Sequence, residues 1–105
     1  MSENLKSVTL LTIVAESLIE SRLIDDLVSC GVIGWTLTPV RGAGPANRRL
    51  SEVEGGNVKI EVLASQEVAD KVWDLLTNRY FPNYAVTAWQ SSALVSRLDR
   101  YLNQK

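Results

Sequence analysis

Histidine is absent from this chain of 105 residues, and cysteine occurs once, at Cys30. Without imidazole there is no Ser–His or Cys–His nucleophile pair, and the commonest zinc ligand is missing. One thiol cannot close an internal disulfide, so a reducing cytoplasm is the expected setting. Long apolar runs are also lacking. Hydrophobic residues make up 46% of the chain, but charge interrupts them too often for a transmembrane helix, and no direct membrane insertion is expected. The N-terminal Met-Ser-Glu-Asn-Leu-Lys has neither the basic start nor the apolar core of a signal peptide. Nor is there a basic excess: 11 Lys and Arg stand against 12 Asp and Glu, for a formal net charge of −1. Nucleic acid is therefore not an expected partner. Carboxylate, lysine and tyrosine chemistry remain open to catalysis, yet no paired constellation of them stands out. No catalytic and no metal-binding residues are assigned, and a binding protein is the expectation.

The chain has the size of one compact domain, taken as residues 1–105. Residues 7–14 (Ser-Val-Thr-Leu-Leu-Thr-Ile-Val) read as a β-branched strand with Val8, Leu10 and Val14 on one face and Leu11 and Ile13 on the other. Ser17-Leu-Ile-Glu20 has the form of a capping box. Leu18, Ile19, Leu23, Ile24, Leu27 and Val28 follow at helical spacing up to the helix stop Gly31. Residues 32–40 and 57–64 make two more strands, the latter alternating Val58, Ile60 and Val62 against Lys59 and Glu61. Ser65 begins a second helix carried by Val68, Ala69, Val72, Trp73, Leu76 and Tyr80, and Pro82 ends it. Residues 84–90 give a fourth strand. From Ser92, a terminal helix over about 92–103 would carry Leu94, Val95, Leu98, Tyr101 and Leu102. Trp35, Trp73 and Trp89 read as mostly core, and Cys30 as a small buried residue.

Two strand–helix–strand units of this size predict an α+β, ferredoxin-like βαββαβ sandwich with a C-terminal helix and both main helices on one face of the sheet. The first strand is apolar on both faces, so the open face should pack against something. Another subunit is favoured, with the terminal helix as the alternative cover.

Between the second and third strands lies a loop over about 41–56, beginning Arg41-Gly-Ala-Gly-Pro-Ala-Asn-Arg-Arg49. Connections in compact domains are commonly about 4–6 residues, so a loop of this length is usually functional or disordered. Gly42 and Gly44 permit close backbone approach to an anion, and Arg48 and Arg49 add charge, a combination suited to a phosphate-bearing ligand. Each part alone is ordinary: Gly-x-Gly is more often a turn, and paired loop arginines are usually solvated. Lys59 and Glu61 could likewise be a plain solvent-facing pair.

These residues resemble the PII signal-transduction proteins. Gly31-Val-Ile-Gly-Trp-Thr-Leu-Thr-Pro-Val-Arg-Gly-Ala-Gly44 is similar to the family's run from a helix-ending glycine through Gly-x-Thr-Val-Thr to the Gly-x-Gly at the root of the T-loop. Asn57-Val-Lys-Ile-Glu61 is similar to the Lys-Val-Lys-Ile-Glu that follows that loop. The resemblance runs from about Val8 to Gln90. It implies a homotrimer with nucleotide bound in each cleft between neighbours. Gly42, Ala43 and Gly44 would then offer N–H groups to phosphates, and Gly34, Trp35 and Thr36 would line the adenine side. Glu61 and Leu63 would floor the cleft, with Arg48 and Arg49 near the phosphates.

Departures from the pattern narrow it. Ala46 replaces the glutamine that helps nitrogen-regulating members hold magnesium and 2-oxoglutarate, and Asn57 replaces their carboxylate-pairing lysine. No loop tyrosine is present for modification. Arg79-Tyr-Phe-Pro-Asn-Tyr84 stands where a Gly-Asp-Gly-Lys phosphate loop is expected. With those donors gone, a mono- or diphosphate suits the site better than a triphosphate. Tyr80-Phe-Pro-Asn-Tyr-Ala85 is instead similar to the PII-like proteins found with bicarbonate transporters and carboxysomes.

That branch implies a non-enzymatic cytoplasmic sensor without a catalytic cofactor. Its ligands would be ADP or AMP, with cyclic AMP or ATP as alternatives, and bicarbonate near Arg48, Arg49, Asn57 and Lys59. Its partner would be a membrane inorganic-carbon transporter. Tyr80, Phe81 and Tyr84 would either flank the base or be helix-end core aromatics. Two readings from other classes stay open: a metal-responsive trimer like the CutA proteins, and a small acylphosphatase-like enzyme. The first is disfavoured by the missing histidine, the second by the absence of arginine after the first strand. An amino-acid-binding regulatory domain is a weaker third.

Overall fold

The computed structural model describes residues 4–42 and 56–102. Four strands form one sheet: β1 (Lys6–Glu16), β2 (Trp35–Val40), β3 (Asn57–Ala64) and β4 (Thr87–Val95), in the order β2-β3-β1-β4. Every neighbouring pair is antiparallel. Helices α1 (Glu20–Cys30) and α2 (Gln66–Leu75) complete a ferredoxin-like βαββαβ fold. Alternation sorts β1 by face. Leu11, Ile13 and Ala15 are fully buried in one core with Leu23 and Leu27 of α1, Ala69 and Val72 of α2, and Ile60 and Val62 of β3. Val8, Leu10, Thr12 and Val14 point to the other face, which neither α1 nor α2 covers.

The start of α1 differs from the capping-box expectation. Ser17–Ile19 is a 3₁₀ turn, and α1 begins at Glu20 without a side-chain cap. The Ser17 N–H instead donates to the Gly56 carbonyl at 2.9 Å, tying this turn to the foot of β3. Leu18 is thereby turned out of the apolar stripe and is 69% exposed. The far end behaves as expected. Gly31 is left-handed at φ 111°, and its N–H and that of Val32 close onto the Val28 and Leu27 carbonyls. A Cβ at Gly31 would also lie 3.3 Å from a Val68 methyl, so both backbone and packing require glycine. Val32 tucks into the core before β2 starts, which is why that strand begins at Trp35 and not at residue 32.

Ser65 does cap α2, its hydroxyl accepting the Val68 N–H at 3.2 Å. Beyond Leu75 the helix widens into a π-helical turn, Leu76–Tyr80, with the Phe81 N–H reaching the Leu76 carbonyl at 2.8 Å. Tyr80 is completely buried there, and its hydroxyl donates to Asp26 Oδ2 at 2.6 Å. Arg79 pairs with the same oxygen at 3.3 Å. Burial first, and then the Asp26 carboxylate, hold the Tyr80 phenol above its ordinary pKa, so it stays a donor.

The expected terminal helix is not formed among the described residues. Ser92 to Val95 continue β4, paired Thr9↔Ser92, Val8↔Ala93, Ser7↔Leu94 and Lys6↔Val95. The N-terminal half of β1 offers unpaired peptide groups, and a ladder along it outcompetes a short helix, which is marginal by itself. Helical geometry survives only as the 3₁₀ turn Leu98–Arg100. β4 also starts later than expected, at Thr87. Side chains pin it to α2: Trp73 donates its indole N–H to Gln90 Oε1 at 2.8 Å, and Gln90 and Thr9 both donate to Gln66. Trp73 is half-buried, whereas Trp35 and Trp89 are 41% and 50% exposed, contrary to the core reading.

Replacing Tyr80→Phe keeps the buried ring and deletes one of the two side-chain bonds that join the π-helical turn to α1, leaving the Arg79–Asp26 pair. Urea denaturation is expected to show a loss of about 1–2 kcal/mol, and an unchanged midpoint would mean the bond contributes nothing net.

Candidate functional site

Register places Thr36 of β2 opposite Glu61 of β3, and Leu63 of β3 opposite Leu10 of β1. Since Ile60 and Val62 point into the core, these four side chains lie on the open face. Together with Gly34, Trp35 and, from the C-terminal turn, Arg100 and Tyr101, they line a pocket of about 440 Å³. That volume is within the usual range for small-molecule sites, about 300–1,000 Å³. Leu10, Leu63 and the Tyr101 ring are its apolar components, Glu61 and Arg100 its opposite charges, and Thr36 a neutral donor and acceptor. Among the described residues no ion pair joins Glu61 to Arg100. A Cβ at Gly34 would meet no protein atom within 4 Å, so packing does not demand the glycine there.

The pocket brings together Gly34, Trp35, Thr36, Glu61 and Leu63 from the sequence-derived set. Trp35 pairs with Val62, which puts its side chain on the helix side of the sheet edge, so it borders the site from the rim. Gly42 follows β2, is exposed and does not line the pocket. Ala43, Gly44, Arg48 and Arg49 lie outside the described residues. Leu10, Arg100 and Tyr101 also line the pocket and were not in the sequence-derived set. Leu10 was legible as an open-face apolar residue, whereas the expected terminal helix hid the other two.

Asn57 and Lys59 share the open face with Glu61, toward the loop end of β3. Asn57, opposite Glu16 on β1 and Val40 on β2, is only 5% exposed. Its Oδ1 is buried and has no hydrogen-bond partner among the described residues. An unsatisfied buried amide costs about 1–3 kcal/mol. Glu16 is engaged elsewhere, accepting the Ala85 N–H at 3.3 Å. Lys59 is half-buried opposite Thr38 and Val14.

Tyr80 and Tyr84 belong to the helix side. Their rings lie 5.6 Å apart, and Arg22 donates to the Tyr84 hydroxyl at 2.8 Å. Of the two readings left open for these aromatics, Tyr80 takes the core one; Phe81 is exposed. Cys30 sits in a groove between α1 and α2. Burial, and then the Asp26 charge, raise its thiol pKa, the wrong direction for a nucleophile. Among the described residues, no group of three His, Cys, Asp or Glu could hold a metal ion, and no helix is long and apolar enough to cross a membrane.

Fold and pocket describe a ferredoxin-like module with a ligand-sized site on its open sheet face. The family model for nitrogen regulatory protein P-II matches residues 8–100, and the chain belongs to the PII family. A protein from Thermus thermophilus, described as PII-like and signalling, is 40% identical; the match covers 93% of this chain and 98% of that one, with a TM-score of 0.80. CPII from Thiomonas intermedia, a nitrogen regulatory PII-like protein solved with ADP, AMP and bicarbonate, shares the fold at 17% identity and a TM-score of 0.84, covering 94% and 97% of the two chains. Its apo form gives 18% identity and a TM-score of 0.74, covering 89% and 96%. A comparison with curated proteins found no match.

Asn57→Leu, which exchanges the amide with its unpaired oxygen for an apolar group of similar size, is expected to raise the thermal midpoint of the ligand-free protein, by about 1 kcal/mol at the transition. A lower midpoint would show that the amide has a stabilising partner.

Proposed function

We propose that this chain is a non-enzymatic PII-like sensor. It binds ADP or AMP in the open-face pocket, takes bicarbonate as a co-ligand, and regulates inorganic-carbon uptake through a membrane transporter. The observation that carries this reading is that Gly34, Thr36, Glu61 and Leu63 converge on one pocket, at the positions the family resemblance gives to the adenine side and the cleft floor. The ADP, AMP and bicarbonate bound by CPII support the choice of ligands.

In this reading the Tyr101 ring and the Leu10 and Leu63 side chains take the base by stacking and apolar contact. Glu61 accepts hydrogen bonds from ribose hydroxyls or the adenine amine, and Thr36 adds a donor and an acceptor. The Arg100 guanidinium meets phosphate oxygens, joined by Arg48 and Arg49 and the N–H groups of Gly42, Ala43 and Gly44. Bicarbonate carries both a proton and acceptor oxygens. Its hydroxyl satisfies the unpaired Asn57 Oδ1, and Lys59 balances its charge. The amide that costs stability in the free protein is thereby satisfied in the liganded one.

The half-buried Leu10 and Val14 and the exposed Trp89 on the uncovered face support a homotrimer built through that face. Ligands at the root of the T-loop change the surface offered to the transporter, and two ligands favouring the same state bind with positive coupling.

Isothermal calorimetry is expected to show ADP and AMP binding at micromolar to low-millimolar concentration, more tightly with bicarbonate. If neither nucleotide gives heat under either condition, the sensor reading is wrong. Arg48→Ala combined with Arg49→Ala should weaken binding about tenfold and leave assembly intact. Light scattering on Trp89→Glu tests the interface: a charge placed on a face buried between subunits should yield monomers, and a persisting trimer would place the interface elsewhere.

A further inference from the structure

Arg97 is the one non-glycine residue with positive φ among those described, at φ 56° and ψ 48°. A left-handed backbone is disfavoured for any residue with a Cβ, and isolated cases concentrate at sites that use them. The Arg97 side chain is exposed and makes no capping hydrogen bond to the turn it precedes, so it does not compensate the backbone locally. What the conformation achieves is a reversal. Val95 is still paired with Lys6 at the edge of the sheet, while Arg100 and Tyr101 line the pocket with Leu10, Thr36, Glu61 and Leu63. Over this short stretch the chain leaves the edge strand and returns across the open face. The turn is closed by the Arg100 N–H on the Arg97 carbonyl at 3.0 Å and the Tyr101 N–H on the Leu98 carbonyl at 2.9 Å.

We infer that Arg97 is a positioning residue whose left-handed backbone, and not its guanidinium, sets the fraction of molecules in which the C-terminal turn presents Arg100 and Tyr101 to the pocket. Apparent affinity scales with the competent fraction, so this one dihedral tunes binding without touching the ligand. The affinity part of the inference rests on the nucleotide reading above; the conformational part does not.

Three substitutions separate backbone from charge, because all remove the guanidinium. Asparagine and glycine tolerate the left-handed region, whereas a β-branched residue resists it strongly. Amide exchange of Arg100 and Tyr101, measured by NMR on the ligand-free protein, is expected to stay within about threefold of wild type in Arg97→Asn and Arg97→Gly. It should be about tenfold faster in Arg97→Val. Calorimetric Kd for ADP should follow the same order, weakest for Arg97→Val and near wild type for Arg97→Asn. Equal exchange in all three variants, or equal affinity of Arg97→Asn and Arg97→Val in a protein whose wild type binds ADP, overturns the inference. If wild type binds no ADP at millimolar concentration, the nucleotide reading falls, and the exchange order alone decides the role of Arg97.

Discussion

β1 must satisfy two environments at once, and the rest of the molecule is arranged around that demand. Its odd-numbered positions Leu11, Ile13 and Ala15 are fully buried under the helices. Its even-numbered positions Val8, Leu10, Thr12 and Val14 form the middle of a face that neither α1 nor α2 covers. Pairing to β3 on one side and β4 on the other locks the register, and a slip of one residue would exchange the two sets. The same register brings Leu10 beside Leu63, and Thr36 beside Glu61 across the neighbouring pair, so the pocket is a by-product of the alignment that builds the core.

Around this frame the chain keeps two local costs where one would expect a more relaxed choice. Asn57 buries an amide oxygen that has no partner among the described residues, at the loop end of β3. Arg97 holds a left-handed backbone before the terminal turn. Neither improves the core, and both lie on the route to the open face. Proteins generally break local rules of this kind at functional sites and compensate elsewhere. Here the compensation is visible: a closed core, a capped α2, and the Tyr80–Asp26 bond that ties the end of α2 to α1.

Periodicity made most of the fold legible. β3 emerges at the expected residues because strict alternation over Val58, Ile60 and Val62 has only one reading. Ser65 and Gly31 act as the cap and stop their chemistry suggests. The misreadings share a cause. Residues 92–95 have a helix-compatible pattern, but β1 extends far enough to recruit them, and nothing local announces how long a partner strand will be. Ser17 has a capping sequence but donates its N–H to Gly56, a residue distant in the chain. Trp35 and Trp89 look like core by type, and the topology sends one to a sheet edge and the other to the open face. For the candidate site, Gly34, Thr36, Glu61 and Leu63 came with the PII resemblance, and one pocket gathers them because the motifs flanking the loop lie on adjacent strands. Arg100 and Tyr101 were not, since their place depends on the chain reversal at Arg97.

The sequence alone therefore determined the class of fold, its strand and helix order, the PII family resemblance and the part of the pocket carried on β2 and β3. The fold and its element order follow from short-range chemistry (alternation, capping, and glycines where backbone must turn), and the pocket positions on β2 and β3 came with the family resemblance. Only the tertiary structure decided that the chain's end becomes strand and then turn, that a π-helical turn buries Tyr80 against Asp26, and that Arg100 and Tyr101 close the pocket. Each of those depends on a partner many residues away, and no local propensity encodes whether that partner's peptide or carboxylate group is free to receive it.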